Sequence, residues 1–271
     1  MKPISIVVCI KPVPDSRQWE KITLDPETGL LRREGIPIII SPLDRNALEE
    51  ALRIKENRDG KVTVISMGPP NTVEILTSAL AMGADAAVLL TDRTFAAADT
   101  LATAYALASG IRKLGEYDLV LLGNESLDGS TGQVGPQVAE FLGIPHVTHV
   151  NKVNFIDEDT LQVKSRIELG YMMIEVKIPV ALAVEKEINE PRIPSLLGVV
   201  QAKEKPMSTW SANDIGVDKA RIGLPGSPTQ VAKVFAIEVK RRGEVLTGEP
   251  VEVTRKLIEK LRAERVLPKV C

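Results

Sequence analysis

The chain has 271 residues, with 34 Lys and Arg against 36 Asp and Glu for a formal net charge of −2, and only 3% aromatic residues. Balanced charge excludes a nucleic-acid binder of the basic-patch type, and so few aromatics exclude a base-stacking platform for single strands. Two cysteines at opposite ends, Cys9 and Cys271, and two histidines, His146 and His149, are too few for a disulfide framework or a dedicated zinc or di-iron centre, so no metal site is expected.

The opening MKPISIVVCIKPVPD is a strand-like run broken by Pro12 and Pro14, without a signal-peptide cleavage region. No apolar run approaches the roughly 20 residues that cross a bilayer. The expectation is a cytoplasmic chain without membrane insertion.

Unalternating apolar runs at residues 4–10, 62–66, 86–90 and 119–122 suit strands covered on both faces. Helical patterns lie between them. Residues 44–56 read DRNALEEALRIKE, with an apolar stripe of Ala47, Leu48, Ala51, Leu52 and Ile54 and with Asp44 or Asn46 able to cap it. Residues 72–82 and 99–114 are two more such patterns, ended by Gly83 and Gly115. Strands and helices alternating in this way predict an α/β fold, a doubly wound and mostly parallel sheet with right-handed crossovers.

From about residue 147 the pattern shifts to shorter β-like segments, read as a β-hairpin excursion and a returning strand; His146 and His149, after the Gly143-Ile144-Pro145 turn, are read as loop or strand surface. After Pro191 periodicity fades until an amphipathic helix at about 251–262. The Lys-Arg-Arg run at 240–242 reads as a solvated face.

Ligands of doubly wound sheets collect at the carboxyl ends of strands, near the point where strand order reverses. The loops there read KPVPDS, MGPPNT and GNESLDGSTGQVGP. The third joins a buried strand to the helix QVAEFLG. Its glycines let backbone amides approach a ligand, while Asp128, Ser130, Thr131 and Gln133 offer side-chain hydrogen bonds near a helix start. That is the chemistry of a phosphate or pyrophosphate cradle, although the stretch is neither a Walker motif nor a G-x-G-x-x-G fingerprint. On the residues alone, a nucleotide cradle and an ordinary polar loop with a capped helix both stand.

The segments CIKPVPD, ALAMGAD (79–85), LLGNESLDGSTGQVGP and INEPRIPSLLGVVQAK (188–203), in that order and spacing, resemble the electron-transfer flavoprotein beta subunit over nearly the whole chain. One departure is Glu168-Leu169-Gly170-Tyr171-Met172, where the family often has a glycine pair bracketed by acids, in a strand that the resemblance sets against the alpha subunit.

The resemblance implies an adenine-nucleotide site lined by Cys9 and Lys11, by Ser41 and Asp44, and by Val64, Ile65, Ser66 and Met67. From the glycine-rich turn it adds Gly123, Asn124, Glu125, Asp128, Gly129, Ser130, Thr131 and Gly132, followed by Gln133, Val134, Gly135 and Pro136. In many members that site holds a structural AMP. In electron-bifurcating members it holds a second FAD, which takes hydride from NADH and sends the two electrons along separate routes. The turn DGSTGQVGP resembles the bifurcating version, so FAD is expected, with AMP as the alternative. The protein would contribute no catalytic residue of its own.

The resemblance also implies partners. These are an alpha subunit carrying FAD, a client dehydrogenase docked by Leu196 with Leu197 beside it, and ferredoxin or flavodoxin as low-potential acceptor. Residues 1–206 would form the nucleotide-binding domain and residues 207–271 an arm packing on the alpha subunit. An ATP-binding hydrolase or stress-type protein is the alternative of another class. The absence of Lys or Arg inside DGSTGQVGP, where a γ-phosphate would need one, weighs against it.

Overall fold

In the computed structural model, residues 3–21, 23–24, 31–32, 36–230, 232 and 243–267 are described. The first apolar run becomes the strand β1 (Ile4–Cys9), in which every residue but Ser5 is buried. Alternate side chains serve opposite faces of a sheet. Ile6 and Val8 accordingly join one core, with Leu48, Leu52, Leu76 and Leu80, while Val7 and Cys9 join a second, with Leu107, Ile111, Val138 and Ala139. Each fully buried Leu or Ile contributes on the order of 1.5–3 kcal/mol of transfer free energy.

The first core is roofed by α1 (Pro42–Arg58) and α2 (Val73–Met82), and the second by α3 (Thr100–Leu114) and α4 (Val134–Leu142). β1 lies between β6 (Gly60–Met67) and β8 (Leu119–Gly123), parallel to both, with Ile6 opposite Val62 and Leu119. Two short antiparallel ribbons stand apart from the main sheet: β2 (Pro12–Pro14) with β5 (Ile38–Ile40), and β3 (Thr23–Leu24) with β4 (Leu31–Arg32). Beyond β6 comes β7 (Ala86–Leu90), and beyond β8 comes β12 (Val180–Val184).

Past β12 the sheet continues through β9 (His146–Phe155), β10 (Thr160–Ile167) and β11 (Gly170–Lys177). The excursion expected as a hairpin is therefore an antiparallel meander of three strands, and the returning strand β12 inserts between β9 and β8, parallel to both. The alternating burial of β10 marks a strand with one wet face, unlike the continuously buried β8 and β12. At the other edge β13 (Met207–Trp210) pairs parallel with β7. The nine-stranded order is β11-β10-β9-β12-β8-β1-β6-β7-β13.

One compact unit spans Met1–Lys233, so the boundary expected after residue 206 falls inside it. The reason is β13, four residues of half-exposed edge strand whose burial is too slight to show as a pattern. The second unit, Val234–Cys271, carries α6 (Pro250–Ala263), a helix without a buried residue. Lys240 to Arg242 and Cys271 lie outside the described residues. Among the described residues no helix is long and apolar enough to cross a membrane.

The expected cap of α1 is corrected. Neither Asp44 nor Asn46 caps the helix; it starts at Pro42, with Ser41 before it making no side-chain capping bond. Proline at the first helical position presets φ and has no N–H to satisfy. That frees the Asp44 carboxylate and the Asn46 amide for contacts with other segments.

Candidate functional site

From β1 the chain builds outward through β6 and β7, then crosses back to place β8 on the other side of β1. The reversal therefore lies between β1 and β8, and the loops leaving their carboxyl ends diverge there. Asp44, in the first turn of α1, spans the gap. Its Oδ2 accepts the Lys11 amide N–H and its Oδ1 the Gly123 amide N–H, each at 2.8 Å.

Asp44 is only 6% exposed. Burial pushes its carboxyl up to about 7, against the lowering effect of the two amides and the Lys11 charge, and Asp128 adds a smaller upward push. Position 123 requires glycine, because a Cβ there would stand 2.6 Å from the Leu43 Cβ, 2.7 Å from Asp44 Oδ1 and 2.8 Å from the Asp44 nitrogen. The same carboxylate helps push the buried Cys9 thiol up to about 12, after burial itself, which keeps that thiol protonated.

The turn after β8 is held at both sides. Asn124 donates its N–H to the Val184 carbonyl at 2.9 Å, and its Oδ1 accepts the His149 N–H at 3.0 Å. The Ser130 N–H donates to the Ser126 carbonyl at 2.9 Å, with Ser130 and Gly132 both left-handed at φ 45° and 62°. From the β1 side, the Lys11 ammonium reaches across to Asp128 Oδ1 at 2.6 Å and Ser126 Oγ at 3.2 Å. Burial alone would raise the Asp128 carboxyl, but the Lys11 bond and charge outweigh it and hold the group below the usual carboxylate range. The turn contains no cation of its own, yet the fold delivers one.

The turn ends at α4, whose first-turn amides have no intrahelical acceptors and carry the positive end of the helix dipole. Gln133, ahead of α4, accepts a hydrogen bond from the Thr100 hydroxyl at 2.9 Å. Around the loop after β1, the hydroxyls of Ser41, Ser66 and Thr72 are buried without a hydrogen-bond partner among the described residues. Buried polar atoms are nearly always satisfied, so these three hydroxyls mark places where a buried water or a ligand atom would supply the missing bond.

Lys11, Asp44, Gly123, Asn124, Asp128 and Ser130 are thus assembled in one place, with Ser41 joined to it by its N–H on the Lys11 carbonyl at 3.0 Å. Glu125, Gly129, Thr131 and Gln133 form the exposed outer side of the turn, while Gly135 is buried where α4 meets β12. Val64 and Ile65 are fully buried, one in each core, and offer a ligand only their backbone. Leu196 opens α5 (Leu196–Gln201) and is 89% exposed, with Leu197 at 64%. Among the described residues no group of His, Cys, Asp and Glu is set to hold a metal ion.

One segment of the site escaped the sequence reading. Residues 222–229, there part of a featureless tail, are clipped to the start of α3. Asp99 caps α3 through Ala102 at 3.0 Å, and its other oxygen accepts the Thr229 N–H at 3.0 Å and hydroxyl at 2.8 Å, while Ser227 Oγ accepts the Asp99 N–H at 2.8 Å. The signal was the cluster GLPGSPT, a turn-forming run too dense in Gly, Pro, Ser and Thr to be a plain linker. A cavity of about 300 Å³ between Tyr105, Phe141, Arg221 and Ser227, and one of about 560 Å³ lined by Ile38, Arg45, Ile75 and Pro194, both lie away from the glycine-rich turn.

His149, read as strand surface, sits on β9 with left-handed φ of 52°. Its Nδ1 lies 2.6 Å from Glu185 Oε1, which also receives Arg166 at 3.3 Å.

This chain matches the family model described as the electron transfer flavoprotein domain over residues 28–215. It is 51% identical over 264 residues to the electron transfer flavoprotein subunit beta of Clostridium acetobutylicum, covering 97% of this chain and 100% of that one. It is 45% identical to subunit CarD of the caffeyl-CoA reductase-Etf complex of Acetobacterium woodii, over 97% and 99% of the two chains. Identity to protein FixA of Azorhizobium caulinodans is 44% over 85% and 84%. A glycine-rich turn at the reversal point, joined to identity of this extent along the full length of beta subunits, places the chain in the electron transfer flavoprotein family, on its beta-subunit branch.

Proposed function

We propose that this chain is the beta subunit of a heterodimeric electron-transfer flavoprotein that holds FAD at the reversal point and takes hydride from NADH. The electrons then divide between a low-potential acceptor, ferredoxin or flavodoxin, and the FAD of an alpha subunit that serves a dehydrogenase. The observation that carries this reading is the cradle itself. One buried carboxylate, Asp44, ties the two diverging loops, a lysine is delivered to the turn, and the turn runs into the amides that start α4.

A bound flavin supplies the conversion of a hydride into single electrons; the protein supplies place and polarity. With a nucleotide bound, Lys11 would exchange Asp128 for a phosphate oxygen, and the amides at the start of α4 would offset the remaining charge. Ser41, Ser66 and Thr72 offer hydroxyls to the adenylate half. Asp44 keeps the β1 and β8 loops in register while its oxygens stay engaged with Lys11 and Gly123. The small residues Gly129, Ser130 and Gly132 would leave room for a diphosphate to continue beyond the turn. Leu196 docks the dehydrogenase, and α6 packs on the alpha subunit.

AMP as a structural ligand is the second reading, favoured by Lys11 being the one cation bonded to the turn among the described residues. Co-expression with the alpha subunit, followed by denaturation and identification of the released nucleotides, tests both. Two FAD per heterodimer supports the first reading and one FAD with one AMP the second; ATP without flavin overturns both. Bleaching of the flavin spectrum by NADH is required by the first alone.

A further inference from the structure

Segment 192–198 carries three of the most exposed apolar side chains of the described residues, Ile193 at 84%, Leu196 at 89% and Leu197 at 64%. Apolar groups standing in water on a loop would ordinarily collapse onto the surface or move freely. Here the backbone beneath them is fixed at two separated points.

The first point is Arg192 on α1. Its Nε donates to Glu49 Oε2 at 2.8 Å and its Nη2 to Glu49 Oε1 at 3.1 Å, a two-pronged pair, while its main-chain N–H also reaches Oε2 at 3.1 Å. Glu56, two turns further along the same helix, takes Nη1 and Nη2. The Glu49 side chain is only 4% exposed and is held from behind by Arg53 at 2.9 Å. The approach to Arg192 is fixed too, since Asn46 donates to the Asn189 carbonyl at 2.8 Å and Asn189 returns a bond to the Asn46 carbonyl at 3.1 Å.

The second point is Gly198 on α2. A Cβ at 198 would lie 2.4 Å from the Ala81 carbonyl oxygen, so the backbone of α5 lies directly against the end of α2. Ser195 closes this side by accepting the Gly198 N–H on its Oγ at 3.0 Å and the Val199 N–H on its carbonyl at 3.0 Å. Pro191 and Pro194, with φ preset by their rings, stiffen the chain on either side of Arg192.

We infer that Arg192 and Gly198 are positioning residues that pin the docking segment between α1 and α2, so that Leu196 meets the client already ordered. The inference rests on the reading of Leu196 as the docking side chain. A segment ordered in advance loses little conformational freedom on binding, which raises affinity without adding a contact. Neither residue needs to touch the partner.

Amide hydrogen exchange on the full chain with its alpha subunit tests the pins directly, using the parent, R192Q, R192K, G198A and L196A. The parent and L196A are expected to protect residues 193–199 equally. R192Q and G198A should exchange there about tenfold faster with β1 and β8 unchanged, and R192K should fall between R192Q and the parent. Parent-like exchange in R192Q overturns the inference.

Association with purified caffeyl-CoA reductase of Acetobacterium woodii gives the second readout. L196A should dissociate faster, whereas R192Q should lose about tenfold in affinity. If L196A weakens binding and R192Q does not, the pins play no part in docking and the inference fails. If L196A binds as tightly as the parent, the docking reading fails and the exchange result alone decides the pins.

Discussion

Asp44 and Gly123 are 79 residues apart in sequence, and the carboxylate of one accepts the amide N–H of the other at 2.8 Å in the interior of the molecule. With the Lys11 amide on the second oxygen, one side chain holds the ends of two adjacent parallel strands. Truncation by Asp44→Ala leaves two amides without an acceptor, at about 1–3 kcal/mol for each that stays buried. Chemical denaturation is expected to show a loss of about 2–6 kcal/mol on that basis. Gly123→Ala, which forces a methyl against the backbone of α1, should also destabilise and should strip nucleotide from the purified complex.

The pH dependence of that carboxylate has a definite sign. Its folded value of about 7 stands above the ordinary 3.8, so the folded state holds a proton that the unfolded state has released. The contribution of Asp44 to stability is therefore fully present below about pH 4 and is lost as pH rises toward 7. Asp44→Asn cannot titrate. Urea titrations from pH 4 to 8 should show the parent losing ground to Asp44→Asn as pH rises, by roughly 1.4 kcal/mol for each unit between the two values. A difference independent of pH would contradict the assigned shift.

Lys11 and Asp128 form a pair whose lysine end is 47% exposed, which limits its worth in the empty protein to about 0–1 kcal/mol. Lys11→Gln should leave the melting temperature nearly unchanged. It should nonetheless weaken nucleotide retention roughly tenfold or more, because the proposed charge-assisted bond to phosphate is lost. Dialysis against nucleotide-free buffer, with the bound fraction followed over time, separates the two effects.

Asp99 serves both as the cap of α3 and as the anchor of residues 227–229. Asp99→Ala should cost about 0.5–2 kcal/mol as a lost helix cap. Faster amide exchange over 224–230 should accompany it. Asp99→Asn, which keeps a capping oxygen, should recover most of the stability.

The parallel core was legible because its strands, buried on both faces, are continuous apolar runs, and helices α2 and α3 ended at the glycines the sequence marked. What stayed hidden were contacts that cross the fold. Asp44 was read as a cap because local spacing says nothing of an amide 79 residues away. Lys11 was placed in the site, but its reach to Asp128 depends on β1 and β8 lying side by side. β13 and the 222–229 segment were passed over because an edge strand and an Asp-anchored turn have almost no periodicity. The run MMIEVKIPVALAVE, read as one returning strand, holds two, β11 and β12, because nothing in its unbroken β-like pattern marks the change of neighbour.

The insertion of β12 between β8 and β9 sets an order on synthesis. β8 leaves the ribosome with β1 ready on one flank, but its other flank has no mate until the entire meander has been made and the chain doubles back. For that interval this flank of β8, residues Leu119 through Leu122, would offer its unpaired N–H and C=O groups to whatever chain is nearby. Chaperones that shield unpaired strand borders should matter most in that window, and stalling translation before residue 180 should yield a sticky, incomplete sheet in which the loops after β1 and β8 are not yet fixed.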